Sequence, residues 1–220
     1  ASGTRLDLGR LEHGQRPEDV LALAGWTVES IVSATMLTDG ALELAYRVTQ
    51  LSGIRKVASD VPRDPGIEPD EIGEGYQRVA AYAVVTSSRG VLLTQFNAQT
   101  HVAGEWGLPG GGLEEGESPV DGLHREVWEE TGQQIELGAL AVVQSSHWIG
   151  RAPAGGVEDF HAVRIVYRAT CPRPADIVIH DIGGTTSDAR WVPLTRIRTL
   201  PLSRSWAELE ALVGLPEAGP

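Results

Sequence analysis

The sequence predicts an α/β protein in which a mixed sheet lies between helices, an α/β/α sandwich. Five segments carry the β-branched and apolar patterns of strands: 78–86, 91–96, 135–146, 160–170 and 189–193. Two segments predict helices, one that begins at Pro119 between the second and third strands and one at 203–213. Strands before and after one helix, with a second helix at the end, are typical of this layered fold.

A small helix-plus-hairpin extension is predicted for residues 1–50. Residues 17–25 begin with a proline and two acids and end with a glycine, which is the pattern of a short helix. Segments 26–37 and 41–48 are rich in strand-forming residues and flank a Thr-Asp-Gly turn, so they predict a hairpin. The polar residues 1–16 are expected to form a loose arm without an assigned function.

Residues 51–75 predict a linker. Three prolines, several glycines and several acids break any strand or helix pattern there. The predicted organisation is therefore an extension at 1–50, a linker at 51–75 and a main domain at 76–220.

Composition and charge indicate a soluble globular protein and restrict its partners. The chain is 41% hydrophobic and 22% charged, with a net charge of −12. This acidity argues against a nucleic-acid backbone or an anionic membrane as the main partner. Cys171 is the single cysteine, so no internal disulfide can form. The sequence shows no apolar stretch of membrane-spanning length, and we expect a cytoplasmic protein.

The helix that begins at Pro119 has recognisable ends and a buried face. Ser118 can cap its N-terminus, and Gly132 is expected to stop it. Apolar side chains spaced three and four residues apart predict the face that packs on the core: Val120, Leu123 and Val127.

The opposite face of this helix concentrates negative charge. Glu126, Glu129 and Glu130 lie at i, i+3 and i+4, so they share one patch of helix surface. Two like charges about 4 Å apart repel by about 4 kcal/mol at an effective dielectric of about 20. A divalent cation would remove this conflict, and oxygen ligands favour Mg²⁺ or Mn²⁺. Gly122, one turn earlier, is expected to leave open space over the patch.

The stretch from Gly111 to Gln133 resembles the Nudix box, and the chain is therefore similar to Nudix hydrolases. Glu117 follows Gly111 after five residues, and the run Arg-Glu-Val-Trp-Glu-Glu-Thr-Gly begins seven residues later at Arg125. Gln133 departs from the family pattern, which usually has an apolar residue there. The flanking strands extend the resemblance to roughly residues 77–212.

The resemblance implies a Nudix-type sandwich and hydrolysis of a diphosphate linkage by water that bound metal activates. The metal-binding positions of the family fall on the carbonyl of Gly110 and the carboxylates of Glu126, Glu129 and Glu130. Glu129 is the first candidate for the base, Arg125 would orient a box glutamate, and Glu117 would support the helix face. The implied cofactor is Mg²⁺ or Mn²⁺.

The base could also lie outside the box, as it does in some relatives. Four later acids are candidates, of which Glu158 is favoured: Glu158, Asp159, Asp181 and Asp188. His147 and His161 could contact phosphate, although a lone histidine near a strand end is more often structural.

The segment 147–159 is predicted to be a long loop that reads the substrate. Trp148 offers a flat face for a base, Arg151 offers a fork for phosphate, and Glu158 lies at the far end of the segment. A mobile surface loop with a partly buried tryptophan is the alternative.

The predicted function is metal-dependent hydrolysis of a nucleoside diphosphate derivative, either an ADP-ribose-like sugar nucleotide or a nucleoside triphosphate. A non-catalytic nucleotide sensor is the alternative, and the intact set of box glutamates argues against it. The partner is expected to be a small nucleotide rather than a nucleic acid or a membrane. A homodimer is the favoured assembly.

Overall fold

The computed structural model describes residues 4–53, 60–152 and 155–214. The helices are α1 at Pro17–Leu23, α2 at Pro119–Thr131 and α3 at Leu209–Val213, with two 3-10 helices at Leu194–Thr199 and Arg204–Trp206. The strands are β1 Trp26–Met36, β2 Leu42–Gln50, β3 Glu74–Ser87, β4 Gly90–Phe96, β5 Trp106–Gly107, β6 Gly110–Gly112, β7 Glu136–Arg151, β8 Val157–Thr170 and β9 Thr186–Val192. Within those ranges, no helix is both long enough and apolar enough to cross a bilayer.

The strands form two sheets. The predicted N-terminal helix and hairpin are present as α1 and the two-stranded sheet β1-β2. A seven-stranded sheet has the order β5-β4-β3-β8-β7, with β6 paired to β3 and β9 paired to β4. Antiparallel ladders join β4 to β3, β5 and β9, while isolated parallel bridges also occur. The predicted α/β fold on a mixed sheet is confirmed.

The chain divides into two compact units. The first consists of Ala1–Ser33, Leu44–Val79 and Val143–Val163, and the second of Ala34–Glu43, Ala80–Val142 and Arg164–Pro220. The predicted boundaries at residues 50 and 75 stay a prediction. Residues 54–59 of the predicted linker lie outside the described residues.

The second unit is built around an apolar core under its strands. Leu93 of β4, Val84 of β3 and Val166 of β8 are buried together with Trp106. Full burial of one such aliphatic side chain contributes about 1.5–3 kcal/mol. Leu123 and Val127 of α2 are also fully buried. This burial fixes the face that α2 turns to the protein, and with it the positions of Glu126 and Glu129 on the helix.

Strands β7 and β8 are longer than predicted, and the predicted loop at 147–159 is wrong. Strand β7 continues to Arg151 and β8 begins at Val157, so Trp148 and Glu158 lie on strands. The reason is that the backbone of β7 bonds to residues 62–64, which are remote in sequence. The N–H of Ile149 donates to the carbonyl of Pro62 at 2.9 Å, and the N–H of Asp64 donates to the carbonyl of Ile149 at 2.9 Å. Residues 153–154 of the predicted loop lie outside the described residues.

Part of the predicted linker is therefore structured. Besides these bonds to β7, the guanidinium of Arg63 donates to three carbonyl oxygens, those of Glu68, Pro69 and Glu71, at 2.9–3.2 Å. Strand β3 begins at Glu74, four residues before its predicted start. Backbone carbonyls that cluster around one arginine give this segment a defined path without a regular element.

The predicted helix at 203–213 is also wrong as one element. A 3-10 turn at Arg204–Trp206 precedes the short helix α3. Trp206 is buried and contacts Tyr82 with ring centroids 4.9 Å apart. The N–H of Ser203 donates to the carbonyl of Trp106 at 3.0 Å, which directs the chain away from a continuous helix.

Candidate active site

Helix α2 begins and ends as the sequence predicts. The hydroxyl oxygen of Ser118 accepts a hydrogen bond from the N–H of Asp121 at 3.1 Å and the same hydroxyl donates to the Asp121 carboxylate at 2.6 Å. Gly132 ends the helix in the left-handed conformation, with φ at 69°, and its N–H donates to the carbonyl of Trp128 at 2.8 Å. These caps satisfy helix-end groups that would otherwise lack partners.

The buried face of α2 differs in part from the predicted stripe. Leu123 and Val127 are fully buried, but Val120 in the first turn is 41% exposed. The buried face extends instead to Glu130 and Thr131 near the C-terminal end. One of the three box glutamates is therefore inside the protein rather than on its surface.

Arg125 organises three partly buried carboxylates beside α2. Its Nε and Nη2 donate to the two oxygens of Glu117, each at 2.9 Å, in a bidentate pair. Its Nη1 donates to Glu126 at 2.9 Å and to Glu129 at 3.0 Å. Hydrogen bonds to these carboxylates, led by that to Glu117, raise the pKa of Arg125 above its ordinary value. One permanently charged group thus fixes the orientation of three acids.

Strand β6 approaches α2 closely at Gly111. A Cβ atom at Gly111 would lie 2.6 Å from the carboxylate of Glu126. The strand is held against β3 by antiparallel pairing of Gly111 with Ala81. Glycine at this position therefore allows the backbone to pass beside the carboxylate.

The sequence analysis expected Gly122 to leave open space over the patch, and this expectation is wrong. A Cβ atom there would lie 2.6 Å from Cδ2 of Leu113 and 2.7 Å from Oε2 of Glu117. The loop before α2 folds back over the helix and fills the region above Gly122. The absent side chain provides room for Glu117 beside Arg125.

Glu130 is a buried carboxylate with two defined donors. It is 6% exposed, and it accepts hydrogen bonds from the N–H of Gly110 at 2.9 Å and from the hydroxyl of Thr186 at 2.5 Å. Burial raises the pKa of Glu130 to about 7, against the two hydrogen bonds, which lower it; the charges of Glu126 and Asp181 raise it further. A carboxylate in this position lacks a full countercharge.

Thr186 is a site residue that the sequence analysis missed. It lies on β9, 56 residues after Glu130, and nothing in its local sequence marks it. Gly110 also has a role that was not predicted, because its N–H donates to Glu130. The role of the Gly110 carbonyl as a metal ligand stays a prediction.

The segment around His180 and Asp181 covers the C-terminal end of α2. The His180 ring stacks on Trp128 with centroids 4.0 Å apart and planes 6° apart. The backbone N–H groups of His180 and Asp181 donate to the carbonyl of Glu129 at 2.7 and 3.1 Å. Asp181 is thus a later acid that the structure places beside the box glutamates, and its charge acts on Glu130. Asp188 in that unit is ion-paired with Arg190.

The departure from the box pattern at Gln133 is explained by the hydrogen bonds of its side chain. It is 2% exposed, and its amide nitrogen donates to the carbonyls of Thr131 and Asp176 at 3.1 and 3.3 Å. Its amide oxygen accepts from the N–H of Ala175 at 2.9 Å. A polar side chain therefore joins the helix end to a later loop where the family usually has apolar packing.

The predicted substrate-binding residues belong to the first unit. Trp148 contacts Phe160 with ring centroids 4.5 Å apart. Arg151 lies 3.6 Å from the Glu71 carboxylate. The backbone of Glu158 lies so close to Gly73 that a Cβ atom there would be 2.6 Å from it. Their roles in substrate binding stay predictions.

Comparisons with known proteins identify the family. The m7GpppN-mRNA hydrolase NUDT17 of Bos taurus is 32% identical over 106 residues, which are 46% of this chain and 35% of that protein. The MutT-like protein of Streptomyces ambofaciens is 40% identical over 87 residues, which are 36% of this chain and 54% of that protein. The chain thus spans about a third to a half of these relatives.

A solved structure of a MutT NUDIX hydrolase from Burkholderia pseudomallei has 26% identity and a TM-score of 0.48, covering 64% of this chain and 99% of that one. The family model described as the NUDIX domain matches residues 76–211, which is more than half of the chain. The protein therefore belongs to the NUDIX domain family.

Proposed function

We propose that the protein hydrolyses a diphosphate linkage in a nucleoside diphosphate derivative and depends on Mg²⁺ or Mn²⁺. The observation that carries this proposal is the hydrogen-bonded set of Glu126, Glu129 and Arg125 beside the buried Glu130. With Glu117, three carboxylates bond to one guanidinium, and the fourth, Glu130, is held by Gly110 and Thr186. A divalent cation would balance the excess of negative charge and would allow a phosphate chain to bind at the same site.

The residues present fit such a metal ion. Burial of Glu130, with a pKa near 7, indicates a carboxylate that needs a further positive charge to ionise fully. The candidate donors are all oxygens, which suits hard ions such as Mg²⁺ and Mn²⁺. Glu126, Glu129, Glu130 and the carbonyl of Gly110 would hold the ion. When bound, it would neutralise phosphate charge and lower the pKa of the attacking water.

The protein's own contribution is orientation and proton transfer. Arg125 holds one oxygen of Glu126 and one of Glu129, which restricts both side chains to a single arrangement. The Glu129 side chain is 34% exposed, more than those of Glu126 and Glu117, at 18% and 14%. We assign Glu129 the role of the base that removes a proton from water. Asp181 is the alternative base on a later segment.

The proposed substrate classes are ADP-ribose-like sugar nucleotides and nucleoside triphosphates. Trp148, Arg151 and Glu158 are proposed to bind substrate, with Trp148 against a base and Arg151 on a phosphate. The name of the bovine relative refers to a capped mRNA, so a cap dinucleotide belongs in the same substrate panel. The net charge of −12 favours small nucleotides over a long RNA chain.

The test is release of phosphate or nucleotide from ADP-ribose, the nucleoside triphosphates and a cap dinucleotide. We expect turnover of at least one substrate with Mg²⁺ or Mn²⁺ and none with EDTA. Glu126→Gln should lower kcat by two or more orders of magnitude. Glu115→Gln is the matched control, because Glu115 is exposed in the loop before α2. Equal turnover with EDTA, or full activity of Glu126→Gln, would contradict the proposal.

A further inference from the structure

A second cluster of metal-binding side chains lies in the first unit. It is formed by His13 of the N-terminal segment, His147 of β7 and Asp159 of β8. The sequence analysis assigned no function to residues 1–16 and weighed His147 and Asp159 only as single residues. Their assembly depends on strand register and on the path of the N-terminal segment, neither of which the sequence spacing reveals.

The cluster has the dimensions of a metal site. The Nε2 atom of His13 lies 3.1 Å from Oδ1 of Asp159, and Nε2 of His147 contacts the same oxygen. One donor atom from each of the three residues lies within 4.8 Å of the others. Ligand atoms about 2.1 Å from a tetrahedral ion are separated by roughly 3.4 Å, so a small movement would suffice for coordination.

The arrangement is open on one side. The side chains of His13, His147 and Asp159 are 34%, 18% and 23% exposed. Burial opposes the charge of Asp159, but hydrogen bonds from His147 and His13 outweigh it and hold the pKa of that carboxyl below its ordinary value. Two imidazoles and one carboxylate with solvent access provide three protein ligands and leave a position for water.

His161 lies beside the cluster but supports it rather than joining it. Its Nδ1 accepts hydrogen bonds from the N–H of Gly14 at 3.1 Å and from the amide of Gln77 at 2.8 Å. Nδ1 is therefore unprotonated, and the proton resides on Nε2, which lies 2.9 Å from the hydroxyl oxygen of Ser145. With both ring nitrogens engaged, His161 has no lone pair for an ion.

Gly14 fixes His13 against the strands. Its φ is +76°, and a Cβ atom there would lie 2.3 Å from Nδ1 of His147. The next residue, Gln15, accepts a hydrogen bond from the hydroxyl of Ser145 through its carbonyl at 3.4 Å. The backbone on the C-terminal side of His13 is thus bound to β7 and β8. These backbone contacts place the His13 imidazole beside Asp159.

We propose that His13, His147 and Asp159 bind one transition-metal ion of the Zn²⁺ class, at a site separate in its residues and its chemistry from the box glutamates. Imidazole nitrogens suit Zn²⁺, whereas the all-oxygen donors of the box suit Mg²⁺ or Mn²⁺. In the metal-free protein both Nε2 atoms donate to the shared Oδ1 of Asp159. A divalent ion would take the place of these two protons and would bind both nitrogens and the carboxylate oxygen. The ion ties the N-terminal segment to β7 and β8.

The test is zinc stoichiometry in the 220-residue chain. Protein stripped with EDTA is dialysed against Zn²⁺ in the presence of excess Mg²⁺, which occupies oxygen-donor sites, and bound zinc is measured by mass spectrometry. We expect one zinc per chain, and at least a 10-fold weaker affinity in His13→Ala and in Asp159→Asn. His101→Ala, which removes an exposed histidine outside the cluster, should bind zinc as the unaltered protein does.

A second measurement reports the N-terminal segment directly. Zn²⁺ should slow trypsin cleavage after the exposed Arg10, and this protection should be absent in His13→Ala. His13 is the decisive position, because it lies outside the strands and its replacement leaves β7 and β8 unchanged in sequence. Zinc binding by His13→Ala and Asp159→Asn equal to that of the unaltered protein, or absence of bound zinc in the unaltered protein, would overturn the proposal.

Discussion

The hydroxyl of Thr186 on β9 donates a 2.5 Å hydrogen bond to the buried carboxylate of Glu130 on α2. This bond and the N–H of Gly110 are the two donors the structure provides for a carboxylate that is 6% exposed. They favour the charged form, whereas burial disfavours it. The balance between these effects makes Glu130 sensitive to protons and to metal ions.

Glu130→Gln should stabilise the metal-free protein at alkaline pH while it abolishes most activity. The folded-state pKa near 7 lies above the ordinary value of 4.5. Because the folded protein binds this proton more tightly, the resulting stabilisation is complete below pH 4.5 and is lost as pH rises through 7. As pH rises from 4.5 through 7, the free energy of unfolding of the unaltered protein should therefore fall by on the order of 3 kcal/mol relative to that of the Glu130→Gln variant.

Chemical denaturation of the metal-free protein at pH 5 and pH 8 measures this difference. Glu115→Gln is the control, because it removes an exposed carboxylate and keeps Glu130. Its stability should change between pH 5 and pH 8 as that of the unaltered protein does. A stability of Glu130→Gln that falls with pH as steeply as in the unaltered protein would contradict the assignment of the pKa near 7 to Glu130.

Thr186→Val should weaken metal binding and raise the pKa of Glu130 further. The substitution keeps the shape of the side chain but removes a donor that favours the carboxylate, at a buried position. We expect the acidic limb of the pH–rate profile to move to higher pH and the Mg²⁺ concentration for half-maximal rate to rise several-fold. Thr186→Ser retains the hydroxyl and should restore both values; equal shifts in the Ser and Val variants would refute the role of the hydrogen bond.

Arg125→Lys should lower kcat much more than it changes KM. An ammonium group cannot reproduce the fork that contacts Glu117 while it also contacts Glu126 and Glu129. The glutamates should then sample several orientations, and we expect kcat to fall by about 100-fold, since small misplacements of catalytic groups have effects of that size. Steady-state kinetics at saturating Mg²⁺ provide the measurement, and a variant with unchanged kcat would show that the fork is dispensable.

The sequence predicts the parts of the site that lie within one helix. The spacing of Glu126, Glu129 and Glu130, the cap at Ser118 and the stop at Gly132 all follow from helix periodicity and from local backbone chemistry. The α/β fold and the N-terminal hairpin follow from hydrophobic patterns in the same way. These features depend on neighbours a few residues away, so they are visible without the fold.

The features that the sequence did not reveal depend on partners that are remote along the chain. Thr186 contacts Glu130 because β9 pairs with β4, and β7 extends through Ile149 because Pro62 and Asp64 bind its backbone. His13 reaches Asp159 across 146 residues. Oligomeric state and the boundaries at residues 50 and 75 stay predictions.

Arg151→Ala should test substrate recognition without a large change in stability. Its ion pair with Glu71, at 3.6 Å, joins two side chains that are 47% and 38% exposed, and such pairs contribute about 0–1 kcal/mol. If Arg151 binds substrate phosphate, KM should rise about 10-fold with kcat little changed. Glu71→Gln removes the same ion pair from the other side and should leave KM unaltered; equal KM changes in the two variants would assign the effect to the ion pair.

Gly122→Ala should disturb the site from beneath Glu117. The new methyl group would lie 2.6 Å from Leu113 and 2.7 Å from the Glu117 carboxylate, so one of these side chains must move. Displacement of Glu117 breaks its bidentate pair with Arg125, and overpacking of this kind costs about 1–3 kcal/mol.

The thermal midpoint and kcat of Gly122→Ala should therefore both fall, even though alanine favours helix over glycine. Gly156→Ala is the matched control, because no atom lies within 4 Å of its Cβ position and its backbone needs no left-handed conformation. We expect that control to keep the stability and kcat of the unaltered protein. A Gly122→Ala variant that is more stable and fully active would show that Leu113 and Glu117 can yield without loss, and that the close packing above Gly122 has no part in orienting Arg125.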